Sequence, residues 1–342
     1  MRLPQLLALL TLLGAIIHTP AWASEQFPSL EAIPSELLNK KPDELILASN
    51  MPKTILQGGL PICAGAAAWS VYLQKQCRTE NSDCQNLDPA KIPSVLAVSG
   101  MGISDVDYRK IRSQKVVLFD SSGNGYNSLS ALQGMIKIRT ESCFPLDQFH
   151  QKYSGMNNQE INDLFKILKS KYLENRTKTE ADICYDCIIN DLKTNFSVPS
   201  DVETIRNALK KNYYEEFLYD VLLGSCKSKI EVFNKFKLGK WSESNSEISY
   251  KSFISTLKDR LKENIPVTSG FCMYEVKVPK CEGHEFVISG YRKVCDRNGK
   301  NCKEYIKTQN SWGEDYNKYY RDGWINAENY YKYSEKKLVW IE

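Results

Sequence analysis

The stretch QGGLPICAGAAAWSVYLQKQC, residues 57–77, brings a side-chain amide, a thiol and a helix start together. Cys63 follows a run of Gly and Pro and opens an alanine-rich segment that reads as a buried helix to about Gln76. Ala66, Trp69, Ser70 and Leu73 fall at helical spacing. A thiol in the first turn of a helix faces unpaired backbone N–H groups and the positive end of the macrodipole, and both favour thiolate. Gln57, six residues upstream, can donate to an oxyanion forming beside that sulfur. A nucleophilic thiol also needs an imidazole, and the imidazole needs a third group that fixes its tautomer. His150, in the polar sequence LDQFHQKY, reads as a surface residue. His284 opens the strand-like GHEFVISGYR, and Asn310 follows 26 residues later in TQNSWGEDY. An Asn carbonyl oxygen suits a resting thiolate–imidazolium pair, which needs no carboxylate for charge balance, and Trp312 can cover the His–Asn bond. The bland alternative for Cys63 is a disulfide, because the chain carries 11 cysteines. An odd count implies five pairs and one thiol left over, and Cys63 is the cysteine with a reason to stay free.

The elements that must position these residues divide along the chain. Residues 1–23 (an apolar run after Arg2, ending in Ala21-Trp22-Ala23) read as a secretory signal peptide, with Ser24 as the mature start. The expected location is therefore secreted, extracellular or, in a bacterium, periplasmic. Cysteine usage agrees with an oxidising compartment. No other run is long and apolar enough to span a bilayer. Removing residues 1–23 takes away Arg2 and no acid, so the net charge falls from +4 to +3. That is too weak and too evenly spread to point to nucleic acid or a membrane surface. A monomer is expected, with no metal and no cofactor. Residues 24–50 hold apolar anchors, Phe27, Leu30, Ile33, Leu37, Leu38, Leu45 and Ile46, around Pro34 and Pro42. They suit either a short inhibitory segment lying in a substrate cleft or a brace on the back of the fold. Residues 51–145 form a helical subdomain with the nucleophile, including a glycine loop leading into a helix near SLSALQGMI, with Ser128 as a plausible cap. Residues 146–262 are charged and helical by periodicity, and residues 263–342 give short Val-, Ile- and Tyr-rich strands. Helices first and strands last indicate an α+β fold. Cys77 with Cys84, and Cys295 with Cys302 across an Asn-Gly turn, are candidate disulfides. Cys184 and Cys187 form a CxxC that reads as a structural pair outside the cell. Asn175-Arg-Thr and Asn195-Phe-Ser are glycosylation sequons that matter only in a eukaryote.

The order Gln57, Cys63, His284 and Asn310-Ser-Trp-Gly resembles the papain-like cysteine peptidases of the papain and cathepsin type. The resemblance spans about residues 52–142 and 252–328. It implies a papain-like fold, with a helical subdomain and a β-barrel-like subdomain flanking a cleft, plus a helical insertion. It also implies hydrolysis of protein or peptide substrates. In that reading Cys63 is the nucleophile, His284 the general base, Asn310 its orienting partner and Gln57 the oxyanion donor, with Trp312 in support. NGYNSLSAL resembles the segment that binds substrate backbone, which implies substrate contacts for Asn124, Gly125 and Tyr126, and Gly283 joins them next to His284. The chain departs from the pattern at Ala64, where an aromatic is usual, at Tyr126, where a second glycine is usual, and at Leu60 and Gly123, where the family's disulfide is missing at both ends. Two other classes compete. An amidase or transglutaminase-like enzyme more often places a carboxylate or a second histidine third, against Asn310. A papain-fold binding or inhibitory protein without turnover fits the changes at Ala64 and Tyr126.

Overall fold

The computed structural model describes residues 30–57, 62–99, 125–153, 156, 158–212, 214–233, 235–242, 249–272 and 283–342. The signal-peptide assignment, Phe27, Leu60, Gly123 and Asn124 lie outside them. The chain is a mixture of helix and sheet. A short strand β1 (Glu44–Leu47) precedes the long helix α1 (Cys63–Glu80). Then come α2 (Gly125–Gln133), β2 (Lys137–Arg139) and the helices α3 (Leu146–Lys152), α4 (Asn158–Asn175), α5 (Tyr185–Asp191), α6 (Val202–Leu209) and α7 (Tyr214–Leu223). Strands β3 (Lys229–Glu231) and β4 (Leu238–Ser242) lead to α8 (Tyr250–Lys262). The last part holds β5 (Val267–Cys272), β6 (Gly283–Val294), β7 (Lys303–Gln309), β8 (Trp324–Asn326), α9 (Ala327–Tyr333) and β9 (Lys337–Ile341).

Strands β4-β9-β5-β6-β7-β8 form an antiparallel sheet, with β1 as a seventh strand beside the far half of β6. The sheet is open among the described residues. The expected barrel-like closure is not present among the described residues, because β4 pairs with β9 alone and β8 pairs with β7 and, on its other side, with the single bridge residue Ala32. Its two faces carry different cores, as the alternation of side chains along β6 requires. Val287 joins the apolar cluster built from α1 to α7, with Val339 and Ile341 from β9. Phe286 and Ile288 face the other way, into a cluster with Phe271, α8 and Tyr330. The alanines Ala66, Ala67 and Ala68 of α1 are all buried, and their small side chains let this helix lie close on the sheet. An αL residue, Asn81 (φ 52°), ends the helix, and its N–H caps the Cys77 carbonyl.

The helices α3 to α7 are clipped at their base. β2 pairs with β3, and Cys143 bonds to Cys226 across a sequence separation of 83. Cys77–Cys84, Cys184–Cys187 and Cys295–Cys302 are also bonded, Cys272 is in a disulfide, and Cys63 is the free cysteine among the described residues. The Asn175 side chain is buried and its Nδ2 donates to the Lys171 carbonyl at 2.7 Å, so that sequon is closed in the folded chain.

The structure departs from local pattern in three places. Ser128 lies inside α2, not at its cap, because the helix already starts at Gly125. Residues 201–225 give two helices instead of one, and the Tyr172 hydroxyl binds the Lys211 carbonyl exposed at the break. Residues 44–47 form a strand because β6 offers a partner edge, which local pattern cannot show.

Candidate active site

Cys63 is the first residue of α1, and the helix packs on β6 so that the thiol meets the backbone N–H of Glu285, next in sequence to His284. The N–H groups of Ala64 and Cys63 itself also face the sulfur. These three donors favour thiolate, as a helix start should. They are outweighed. The thiol is buried, and burial followed by the nearby Glu285 carboxylate pushes it up to about 11. His284 is buried as well, and burial lowers it to about 4 against an opposing contribution from Asn310. Burial thus works against the charged form of both groups and opposes the ion pair that the helix start favours.

His284 begins β6 and is held from three sides. Its Nε2 lies 2.7 Å from Asn310 Oδ1. The Trp312 indole covers the ring at 4.2 Å between centroids, and Phe271 meets it edge-on at 5.6 Å. Because an amide oxygen only accepts, Nε2 carries the proton, and Nδ1 presents the lone pair of a general base. Asn310 Oδ1 also accepts from the Trp312 N–H at 3.3 Å. Asn310 is wholly buried, and its Nδ2 approaches the Tyr316 hydroxyl without hydrogen-bond geometry. The turn that follows needs Gly313, with φ +84° and Leu56 Cδ1 2.9 Å from where a Cβ would sit.

Gln57 is tied to the same turn. Its N–H donates to the Ser311 carbonyl at 2.8 Å, and the Ser311 hydroxyl donates to its Oε1. The oxygen end of the amide is thus engaged, which makes Nε2 its donor end. Behind it lies His150, which is buried, not at the surface as its polar flanks suggest. Its ring meets the Gln57 carbonyl, its Nε2 has no partner among the described residues, and burial lowers it to about 4.

Gly125 is buried and gives its N–H to Glu285 Oε2 at 2.6 Å. A Cβ at Gly125 would stand 2.3 Å from Glu285 Oε1 and 2.5 Å from Thr268 Oγ1, so only glycine lets α2 approach β5 and β6 this closely. Tyr126 is half-buried, with Lys240 Nζ 5.2 Å from its ring centre, and Gly283 pairs with Cys272 at the start of β6. The structure therefore gathers Cys63, His284, Asn310, Trp312, Gln57 and Gly125 around one end of β6. Sequence reasoning missed Glu285, Ser311, Thr268 and His150. Open cavities of about 550 and 900 Å³ lie elsewhere, lined by residues such as Met51 and Lys307, and Pro89 and Ser200.

No family model matches the sequence, and no curated protein matches it significantly. Among solved structures the chain is similar to xylellain, a cysteine protease from Xylella fastidiosa, at 12% identity over 93% of this chain and 92% of that one, with a TM-score of 0.39. It is also similar to SERA5E from Plasmodium falciparum, at 12% identity over 90% and 94%, with a TM-score of 0.40. Likeness at that level transfers neither fold nor activity, so the case rests on the chain's own residues.

Proposed function

We propose that this chain is a secreted, papain-like cysteine peptidase that hydrolyses peptide bonds, working as a monomer on protein or peptide substrates. The observation that carries the reading is the tautomer imposed on His284. Its Nε2–H is spent on Asn310 under the Trp312 roof, which leaves Nδ1 as the base beside the strand end where the free thiol sits. In the proposed reaction a substrate carbonyl reaches Cys63, and Nδ1 takes the thiol proton as the sulfur adds to carbon. Forming the imidazolium strengthens the Asn310 bond, because a charged donor holds an amide oxygen better than a neutral one. Gln57 Nε2 donates to the tetrahedral oxyanion, held in place through Ser311. The imidazolium then protonates the leaving amine, and water releases the acyl group from sulfur. The test is labelling with a peptide epoxide that reacts only with activated cysteine-peptidase thiols, followed by mass mapping. Adduct on Cys63, lost in Cys63→Ala and sharply reduced in His284→Ala, is the expected result. Adduct elsewhere, or none, rejects the assignment.

One observation favours a second reading, a papain-fold binding protein without turnover. Thiol and imidazole are both buried, and burial disfavours the charged form of each. The same labelling separates the two readings, since a pure binder leaves Cys63 unmodified while still capturing peptide.

A further inference from the structure

Half-buried Glu141 and buried Glu285 look alike until their partners are counted. Glu141 accepts from the Val95 N–H at 2.8 Å on one oxygen and from the Leu146 N–H at 2.9 Å on the other. Both of its oxygens cap helix starts, which is a complete structural role. Glu285 differs. The hydrogen bond it receives comes from the Gly125 N–H, on Oε2 alone. The Thr268 hydroxyl is near enough to help electrostatically, yet it is not aligned to donate and has no hydrogen-bond partner of its own. The nearest charged side chains on neighbouring elements are Glu335 and Lys337, and these pair with each other at 3.6 Å. The Tyr330 hydroxyl, on α9, donates to Ser269 instead. A carboxylate offers about four acceptor positions, and burying one with a single donor is costly. It is also placed at the chemistry. Alternation along β6 puts it on the α1 face with Val287, its own backbone N–H lies on the Cys63 thiol, and its head lies against Gly125.

We propose that Glu285 is the specificity-determining residue of the site, its carboxylate pairing with a cation carried by the substrate close to the scissile bond, either a Lys or Arg side chain or a free amino terminus. The inference rests on the peptidase reading above and adds the substrate class. Such a cation supplies the donors that the carboxylate lacks. It also acts on the nucleophile. Burial pushes the Glu285 carboxyl itself up to about 7, and when ionised it is one of the two influences that hold the Cys63 thiol up, so a cation that pairs with it eases proton transfer to His284. Cationic substrates should therefore gain in kcat and not in KM alone.

The experiment uses the full chain and N-acetylated quenched peptides that differ at one position within three residues of the cleaved bond, carrying Arg, its neutral isostere citrulline, Leu or Glu. A second set without the acetyl group tests the free amine. At one position Arg should exceed citrulline at least tenfold in kcat/KM, and Glu285→Gln should bring the ratio within twofold. Glu285→Asp, which keeps the charge on a shorter arm, should retain part of it and serves if the Gln variant does not fold. In Glu285→Gln the pH midpoint for alkylation of Cys63 by iodoacetamide should also fall, as the carboxylate beside the thiol requires, while the Arg-to-citrulline ratio is the readout that a merely structural carboxylate would not move. Equal rates for Arg and citrulline with both acetylated and free peptides, or an unchanged ratio in Glu285→Gln, overturns the proposal while leaving the peptidase reading intact. If no peptide is cut, the same peptides are used to slow alkylation of Cys63. Protection by the Arg peptide or the free-amine peptide, but not by the acetylated citrulline peptide, upholds the cation site while the peptidase reading falls, and equal protection by all of them sinks both.

Discussion

Replacing Asn310 with Ala isolates the one interaction that sets the tautomer of His284. The bond is 2.7 Å long and both residues are buried, so water cannot replace the lost partner. An orphaned buried N–H costs about 1–3 kcal/mol, which is the expected loss of global stability in urea. The kinetic loss is a different quantity, because only what strengthens on the way to the transition state matters. A bond from a neutral donor contributes about 0.5–1.5 kcal/mol and one from a charged donor about 1.5–3. The difference of about 1–1.5 kcal/mol lowers kcat/KM roughly five- to tenfold. Free rotation of the imidazole adds to this, since the competing tautomer places the proton on Nδ1 and removes the base. The assay is kcat/KM on a cleaved peptide together with the rate of epoxide labelling, set against the urea midpoint. A variant that loses the expected stability yet labels at the wild-type rate would refute the reasoning, because the bond would then be structural only.

His150→Phe should stabilise the protein at acid pH. The folded value of about 4 lies below the ordinary 6.5, so the unfolded chain binds the proton first and stability is lost as pH falls from about 6.5 towards 4. Removing the group should restore about 2 kcal/mol at pH 5 and almost none of it at pH 8, read from urea midpoints at both. Changing Cys143 and Cys226 together to Ser frees a loop with a sequence separation of 83, for which chain entropy sets a ceiling of about 4.6 kcal/mol. Denaturation should then show a lower midpoint, and an unchanged one would mean that the β2–β3 pairing alone holds the base of the insertion. Iodoacetamide without reductant should modify Cys63 alone, slowly at pH 7 and faster as pH rises towards about 11. Rapid modification at pH 6 would contradict a neutral resting thiol.

The strands after Pro266 were legible because Val, Ile, Phe and Tyr alternate there between turn residues, and β5, β6, β7, β8 and β9 all fall in those runs. The Cys295–Cys302 hairpin was legible for the same reason, with Asp296 accepting from Asn298 and Lys300 across its turn. What depended on distant partners was not. β1 is four residues long and needs an edge from the other end of the chain. A charged residue in a strand reads as outward-facing, and nothing local reveals that Glu285 turns under a glycine 160 residues away in sequence. His150 is flanked by polar residues, yet it is one of three buried positions on a two-turn helix. The environment of Cys63 was only half legible. Sequence displays the helix start that favours thiolate but not the depth of burial that overrules it.

The described part of the N-terminal segment, residues 30–50, packs along the sheet. β1 pairs with residues 290–293, away from His284, and Ile33 packs with Tyr305 and Trp324. Arg292 Nη2 donates to the carbonyls of Leu37, Leu38 and Lys40, the last 252 residues away in sequence. The order of synthesis makes this arrangement demanding. The first strand among the described residues to leave the ribosome is the one whose partner is made late, so Leu45 and its neighbours wait unpaired through most of translation. Only when β6 and β7 have emerged can the sheet accept it. Emergence of β6 is then the event that lets β1 join the sheet that carries His284.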